Sequence, residues 1–99
     1  MAKIIRVRDV ARHEVYDCTP DEAVLRGPYE LFQPKGPVRL RPDGLVEWEE
    51  GLGTRSARVA GAVLGDTHPG ERVLIRLPPR VSEEWWLCEI QAIDGVVAN

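Results

Sequence analysis

The amino-acid sequence predicts a mainly β protein: a small barrel or sandwich of antiparallel hairpins with one short helix near residues 20–26. Two turns and the spacing of apolar residues support this class. A Pro-Asp-Gly turn at residues 42–44 and an Asp-Gly turn at residues 94–95 each lie between apolar segments. At 99 residues the chain has the length of one domain, which we assign to residues 1–99.

The first third of the chain combines a strand with a segment of open assignment. Residues 3–8 predict a strand, because apolar and basic side chains alternate along its second half. Residues 9–16 leave two alternatives: Asp9 caps a short helix, or residues 13–16 continue as strand. Residues 29–32 predict another short strand.

A helix start follows at Thr19. Thr19 is a suitable cap, Pro20 suits the first helical position, and Glu22 completes a capping box. Gly27, followed by proline, would end the helix after about two turns. The pattern predicts a helix over residues 20–26 that is too short to be stable without packing.

Residues 38–77 predict two hairpins in series. In the first, a type I turn with a bulge at Gly44 would place Arg39 opposite Glu47 and Leu40 opposite Val46. This register also puts the apolar side chains on one face, so turn chemistry and face polarity choose the same pairing. That apolar face consists of Val38, Leu40, Val46 and Trp48.

The second hairpin would pair residues 58–64 with residues 72–77 through a tight connection. Gly61 indicates a bulge or a close backbone approach. Residues 49–56, which contain two glycines and little to bury, predict a mobile loop between the hairpins.

The segment 85–93 fits either a helix or a strand, and the Asp-Gly turn after it favours a strand. Consecutive side chains of a strand point to opposite faces. Trp86 shares a face with Cys88 and Ile90, so we expect it inside and Trp85 outside. Trp85 would then either bind a partner or pack against the prolines at positions 78 and 79 of its own chain.

Composition excludes several classes. No apolar run is long enough for a transmembrane helix, and the N-terminus lacks the apolar core of a signal peptide, so we expect synthesis in a cytoplasm. The net charge of −3 argues against broad nucleic-acid binding. The first dozen residues are basic and the C-terminal third is acidic; these are solvated faces, or complementary surfaces of neighbouring copies.

The residues that could bind a metal or take part in catalysis are scattered along the sequence. Two cysteines and two histidines lack the spacing of a zinc site, and Cys88 fits a small core residue. The adjacent glutamates point to opposite sides of an extended chain, which makes them poor acid–base pairs. We therefore expect no enzyme, no metal and no cofactor.

Two resemblances concern the β-rich part. The strand, Asp-Gly turn, glycine-containing strand, Gly-Glu turn and final strand of residues 38–77 resemble the head decoration (capsid-stabilising) proteins of tailed bacteriophages. That resemblance implies a small β protein bound to the outside of a capsid, commonly as trimers. Residues 70–99, with Glu83-Glu84-Trp85-Trp86, are similar to the later half of Src-homology-type peptide-binding barrels. There Tyr16 and Trp85 would line a groove for proline-rich or extended peptides.

The resulting expectation is a non-enzymatic structural protein of the virion, made in the host cytoplasm. It would stabilise the capsid through contacts with the major capsid protein or another protein surface, as a homo-oligomer and as a trimer when bound. Alternatives are a peptide-binding adaptor barrel and a small phage inhibitor of host defence. No nucleic acid or membrane is expected as a partner. The predicted interface residues are Arg6, Arg8, Tyr16, Arg39, Glu47, Glu83, Glu84 and Trp85.

Overall fold

The computed structural model describes residues 3–27, 34–77, 83–94 and 96–97. Within these ranges the chain is mainly β, and the helical part is a single 3-10 turn at Leu64–Asp66. None of the described residues forms a helix with the length and apolar character needed to cross a membrane. The strands are β1 Ile5–Asp9, β2 Val15–Cys18, β3 Ala23–Arg26, β4 Val38–Leu40, β5 Leu45–Glu50, β6 Gly53–Arg58, β7 Ala60–Val63, β8 Arg72–Ile75, β9 Glu84–Ile93 and β10 Val96–Val97.

The strands form a nearly closed antiparallel barrel. Hydrogen bonds connect them in the order β6-β5-β4-β9-β8-β3-β7, while β1 and β10 also pair with β9, and β2 pairs with β1. The two ends of the path, β6 and β7, are consecutive in the chain and are separated by Val59 alone. The predicted fold class, a mainly β protein forming a small barrel or sandwich of antiparallel hairpins, is therefore confirmed, and the sheet is barrel-like.

The apolar side chains divide into two cores on opposite faces of the sheet. The first core takes side chains from β1, β2, β3, β8 and β9, and the second takes them from β3, β4, β5, β8 and β9. The first core consists of Ile5, Val7, Cys18, Val24, Leu64, Val73, Ile75, Leu77, Cys88 and Ile90. The second consists of Leu25, Val38, Val46, Trp48, Leu74, Trp85 and Leu87.

Strand β8 shows how this division arises. Successive side chains of a strand point to opposite faces. Val73 and Ile75 accordingly enter the first core and Leu74 enters the second, and all three are fully buried. Strands β3 and β9 divide their side chains in the same way. The central strands therefore have continuous apolar runs, as is usual for strands covered on both faces.

The first predicted hairpin is confirmed. Arg39 pairs with Glu47 and Leu40 with Val46. The Arg41 amide donates to the Leu45 carbonyl at 2.8 Å, and Gly44 has a φ of 86°. A positive φ favours glycine, as the bulged turn requires. Leu40, at the open end of the apolar face, remains 40% exposed.

The C-terminal strand prediction is also confirmed. Residues 85–93 lie within β9, and Asp94, with a φ of 50°, leads into β10. Val96 pairs with Ile93 across this turn. At the other end of the chain, the predicted strand at residues 3–8 corresponds to β1, and the open segment 9–16 contains a turn followed by the start of β2.

The predicted helix at residues 20–26 is wrong. The Glu22 amide donates to the Thr19 carbonyl in a single turn at 3.2 Å, and the chain then continues as β3. As a strand, this segment places Val24 in one core and Leu25 in the other. A two-turn helix would leave one of these side chains outside, so tertiary burial overrides the local capping signal.

The predicted second hairpin is also wrong. β3 lies between β7 and β8 and pairs with both, so those two strands are not neighbours. Gly61 shows no bulge, since it pairs regularly with Leu25. No described atom lies within 4 Å of the position of a Cβ at Gly61, which rules out the close approach. A close approach occurs instead at Gly65, where a Cβ would lie 3.2 Å from the Pro20 carbonyl oxygen.

The predicted loop at residues 49–56 is a tight hairpin. β5 and β6 pair over six residues each, down to Glu50 opposite Gly53. Gly51, with a φ of 61°, occupies the first position of the two-residue loop, as in a type II′ turn. The predictions for residues 29–32 and for the prolines at 78 and 79 lie outside the described residues.

Substituting Gly44 tests the turn of the first hairpin. We expect Gly44→Ala to reduce the free energy of unfolding by about 1–2 kcal/mol, because a Cβ is unfavourable at a positive φ. Gly53→Ala is the matched control: Gly53 lies in a strand with open space around it, so stability should stay constant or rise by up to about 1 kcal/mol. Urea unfolding measures both, and equal effects would contradict the turn assignment.

Two neighbouring residues of β8 test the two cores. Leu74→Ala and Ile75→Ala should each cost about 2–5 kcal/mol in urea unfolding, since each removes a fully buried side chain from a different core. Val63→Ala, at a partly exposed position on β7, should cost about 0.5 kcal/mol or less. A sheet covered on one face only would lose stability from just one of the first two substitutions.

Candidate interaction surfaces

The two consecutive tryptophans both point inward. Trp85 is 8% exposed and belongs to the second core, while the partly buried Trp86 packs against the first core. The expectation that Trp85 lies outside is therefore wrong. That expectation assumed that only one face of this strand is buried, whereas both faces of β9 are covered. The guanidinium of Arg76 lies 5.6 Å from the centre of the Trp85 ring.

Tyr16 and Trp85 do not line a common groove. Tyr16 packs against the first core and donates a short hydrogen bond to the carboxylate of Glu14, which raises the pKa of the Tyr16 phenol. Trp85 lies in the second core, on the opposite face of the sheet. The sheet itself therefore separates the two aromatic residues that the peptide-binding resemblance would combine.

The predicted basic residues of β1 contact carboxylates of their own chain. Arg6 Nε lies 2.9 Å from Asp17 Oδ1, and this hydrogen bond lowers the pKa of Asp17. Arg8 on β1 and Arg72 on β8 flank Glu89 of β9 from its two sides. Arg8 Nη2 lies 3.9 Å from Glu89 Oε1, and Arg72 Nε lies 3.4 Å from Glu89 Oε2. Arg8 Nε is buried and has no hydrogen-bond partner among the described residues.

Three of the predicted interface residues form one row. Arg39 pairs with Glu84 on one side and with Glu47 on the other, across β9, β4 and β5. The Arg39 Nη2 to Glu47 Oε1 distance is 3.8 Å. Together with Glu49 they border a cleft of about 320 Å³, and we name this surface the acidic face. Its three carboxylates and one guanidinium leave a net charge of −2. Glu83 is exposed at the start of β9 and borders a different cleft.

The loop between β1 and β2 is organised by Asp9. This carboxylate is fully buried and accepts hydrogen bonds from the Ala11 amide at 2.9 Å and from Arg12 Nε at 2.6 Å. Arg12 in turn lies over the Trp86 ring, 3.8 Å from its centre. The ion pair and the stacked guanidinium hold the loop against β9.

The outer part of the β5–β6 hairpin projects from the barrel. β4 covers β5 through pairs at Val46 and Glu47, and the next residues pair with β6 alone among the described strands. The residues Glu49–Thr54, which we name the arm, are all exposed. Leu52 stands at the tip and is fully exposed. At about 3.4 Å per residue the arm extends roughly 10 Å.

A second cleft, which we name the basic cleft, lies beside the Arg8–Glu89–Arg72 row. It has a volume of about 320 Å³ and combines an apolar floor with two cationic residues at its edge. Its lining consists of Val10, Ala11, Pro34, Lys35, Arg72 and Leu87.

The cysteines belong to the first core. Cys18 and Cys88 are both buried and are not joined by a disulfide bond. Burial raises the pKa of the Cys88 thiol, and the nearby Asp9 carboxylate adds to this effect. Cys88 is therefore a small core residue, as predicted, and a poor nucleophile at neutral pH. The described residues contain no cluster of three or more His, Cys, Asp or Glu side chains arranged to bind a metal ion.

Comparison with protein families, with curated proteins and with solved structures found no match for this chain.

Sequence reasoning missed the arm and the basic cleft. The arm had a local signal, since a two-residue loop that begins with glycine is typical of a type II′ hairpin. The basic cleft had none, because Val10, Lys35 and Leu87 come from distant parts of the chain.

Removing Arg12 tests the loop anchored by Asp9. Arg12→Ala leaves a buried carboxylate with only backbone donors, so we expect a loss of about 1–3 kcal/mol in urea unfolding. The Trp86 fluorescence should change as well, because the ring loses its cover. Arg6→Ala is the control: it removes an exposed ion pair and should change stability little. Equal effects of the two substitutions would contradict the role of Asp9.

Proposed function

We propose that this chain is a non-enzymatic structural protein that binds the outer surface of a phage capsid and stabilises it through subunit contacts. The proposal starts from the resemblance of residues 38–77 to head decoration proteins. Its structural support is the acidic face, where Arg39, Glu47 and Glu84 stand in one row on three adjacent strands.

The charge of the acidic face favours a basic partner. The face is built on paired strands, and its charge is net negative. A charged surface of this kind selects a partner by complementary charge, which here means a surface rich in arginine or lysine. Each single contact is weak, but many copies on a lattice reinforce one another.

The peptide-binding alternative requires Tyr16 and Trp85 to line one groove, but the two side chains lie on opposite faces of the sheet. We therefore favour the capsid role, in which the partner is the major capsid protein and the bound state is a trimer.

Co-sedimentation with expanded empty capsids of the encoding phage tests this role. We expect the protein to pellet with the shells. Glu47→Lys should weaken binding at least about tenfold, because it replaces an attraction to a basic partner with a repulsion. Asp66→Lys is the control, since it makes the same charge change outside the acidic face, and it should bind as the unchanged protein does. A protein that stays in the supernatant would refute the proposal.

A further inference from the structure

We propose that the arm of one copy docks into the basic cleft of a second copy, with Leu52 as the anchor. This contact concerns the chain alone and does not require a capsid. It follows from the shape and charge of two surfaces that lie on different parts of the molecule.

The arm offers an apolar anchor within an acidic frame. Leu52 is fully exposed at the tip, and Glu49 and Glu50 precede it. Arg55 neutralises one of these carboxylates through an ion pair with Glu50, which leaves a net charge of −1. A fully exposed leucine held on a two-residue turn loses little conformational freedom when it is buried by a partner.

The basic cleft offers the complementary surface. Val10, Pro34 and Leu87 provide an apolar floor, and Lys35 and Arg72 stand at its edge. With Arg8 and Glu89 beside them, three cations and one carboxylate leave a net charge of +2.

The volume of the basic cleft also fits this occupant. About 320 Å³ is at the lower end of the range for small-molecule pockets and is large enough to accept the Leu52 side chain together with part of the turn that carries it. The positive charge and the apolar floor favour an apolar residue flanked by carboxylates, and the arm of another copy presents that combination.

The contact is heterologous, because the arm and the basic cleft are different surfaces. A heterologous contact closes into a ring if the rotation between copies allows it. In the assembly, each copy uses its arm once and its basic cleft once.

Sedimentation velocity on the purified full chain tests the contact. We expect concentration-dependent self-association that weakens as salt is raised, because charge complementarity contributes. Leu52→Ser should weaken association at least about 30-fold, the effect of losing an anchor residue. Val63→Ser changes another exposed aliphatic residue, on β7, and should assemble like the unchanged protein.

Mixing two variants separates this contact from any other dimer. Leu52→Ser keeps the basic cleft, and Ala11→Trp fills it while keeping the arm. Each variant should be monomeric alone, and an equal mixture should form a dimer and nothing larger.

Unchanged circular dichroism spectra would show that both variants fold. A monomeric unchanged chain, or a Leu52→Ser variant that assembles normally, would overturn the inference; shell binding is measured separately, so either proposal can fail alone.

Discussion

Burial of the central strands on both faces is the constraint on which the rest of the structure depends. β3, β8 and β9 each alternate between two cores, so adjacent apolar residues such as Leu74 and Ile75 are both inside. Two cores let a chain of 99 residues bury far more side chains than a sheet with one solvated face would. Strands β4 and β5 contribute side chains to one core only, and β1 and β2 contribute to the other only.

The same constraint determines which surfaces remain for binding. The central strands are covered, so the accessible faces belong to the periphery: the outer side of β4 and β5, the arm, and the cleft beside the β1–β2 loop. Asp9 holds that loop in place from a fully buried position. Breaking such a pair on one side is costly even where the pair adds little net stability, so Asp9 specifies the loop geometry.

In a sequence, aromatic residues are the usual candidates for binding anchors, but the aromatic residues that the structure describes pack into the two cores or against them. Trp85 and Trp86 fill different cores, and Tyr16 covers the first. The anchor that we propose is aliphatic instead: Leu52, which is fully exposed at the tip of a hairpin. Burial on both faces explains this reversal, because a doubly covered strand has no outer face on which to display a tryptophan.

The sequence alone determined the local features: the turn at Gly44, its register with Arg39 opposite Glu47, and the strand that ends at Ile93, just before the turn at Asp94. Turn geometry and side-chain alternation act over a few residues, so they are visible in one segment. Only the tertiary structure decided that residues 23–26 form a strand between β7 and β8, and that distant segments meet in the basic cleft. A short apolar segment takes the conformation that buries it, and that depends on neighbours far away in the chain.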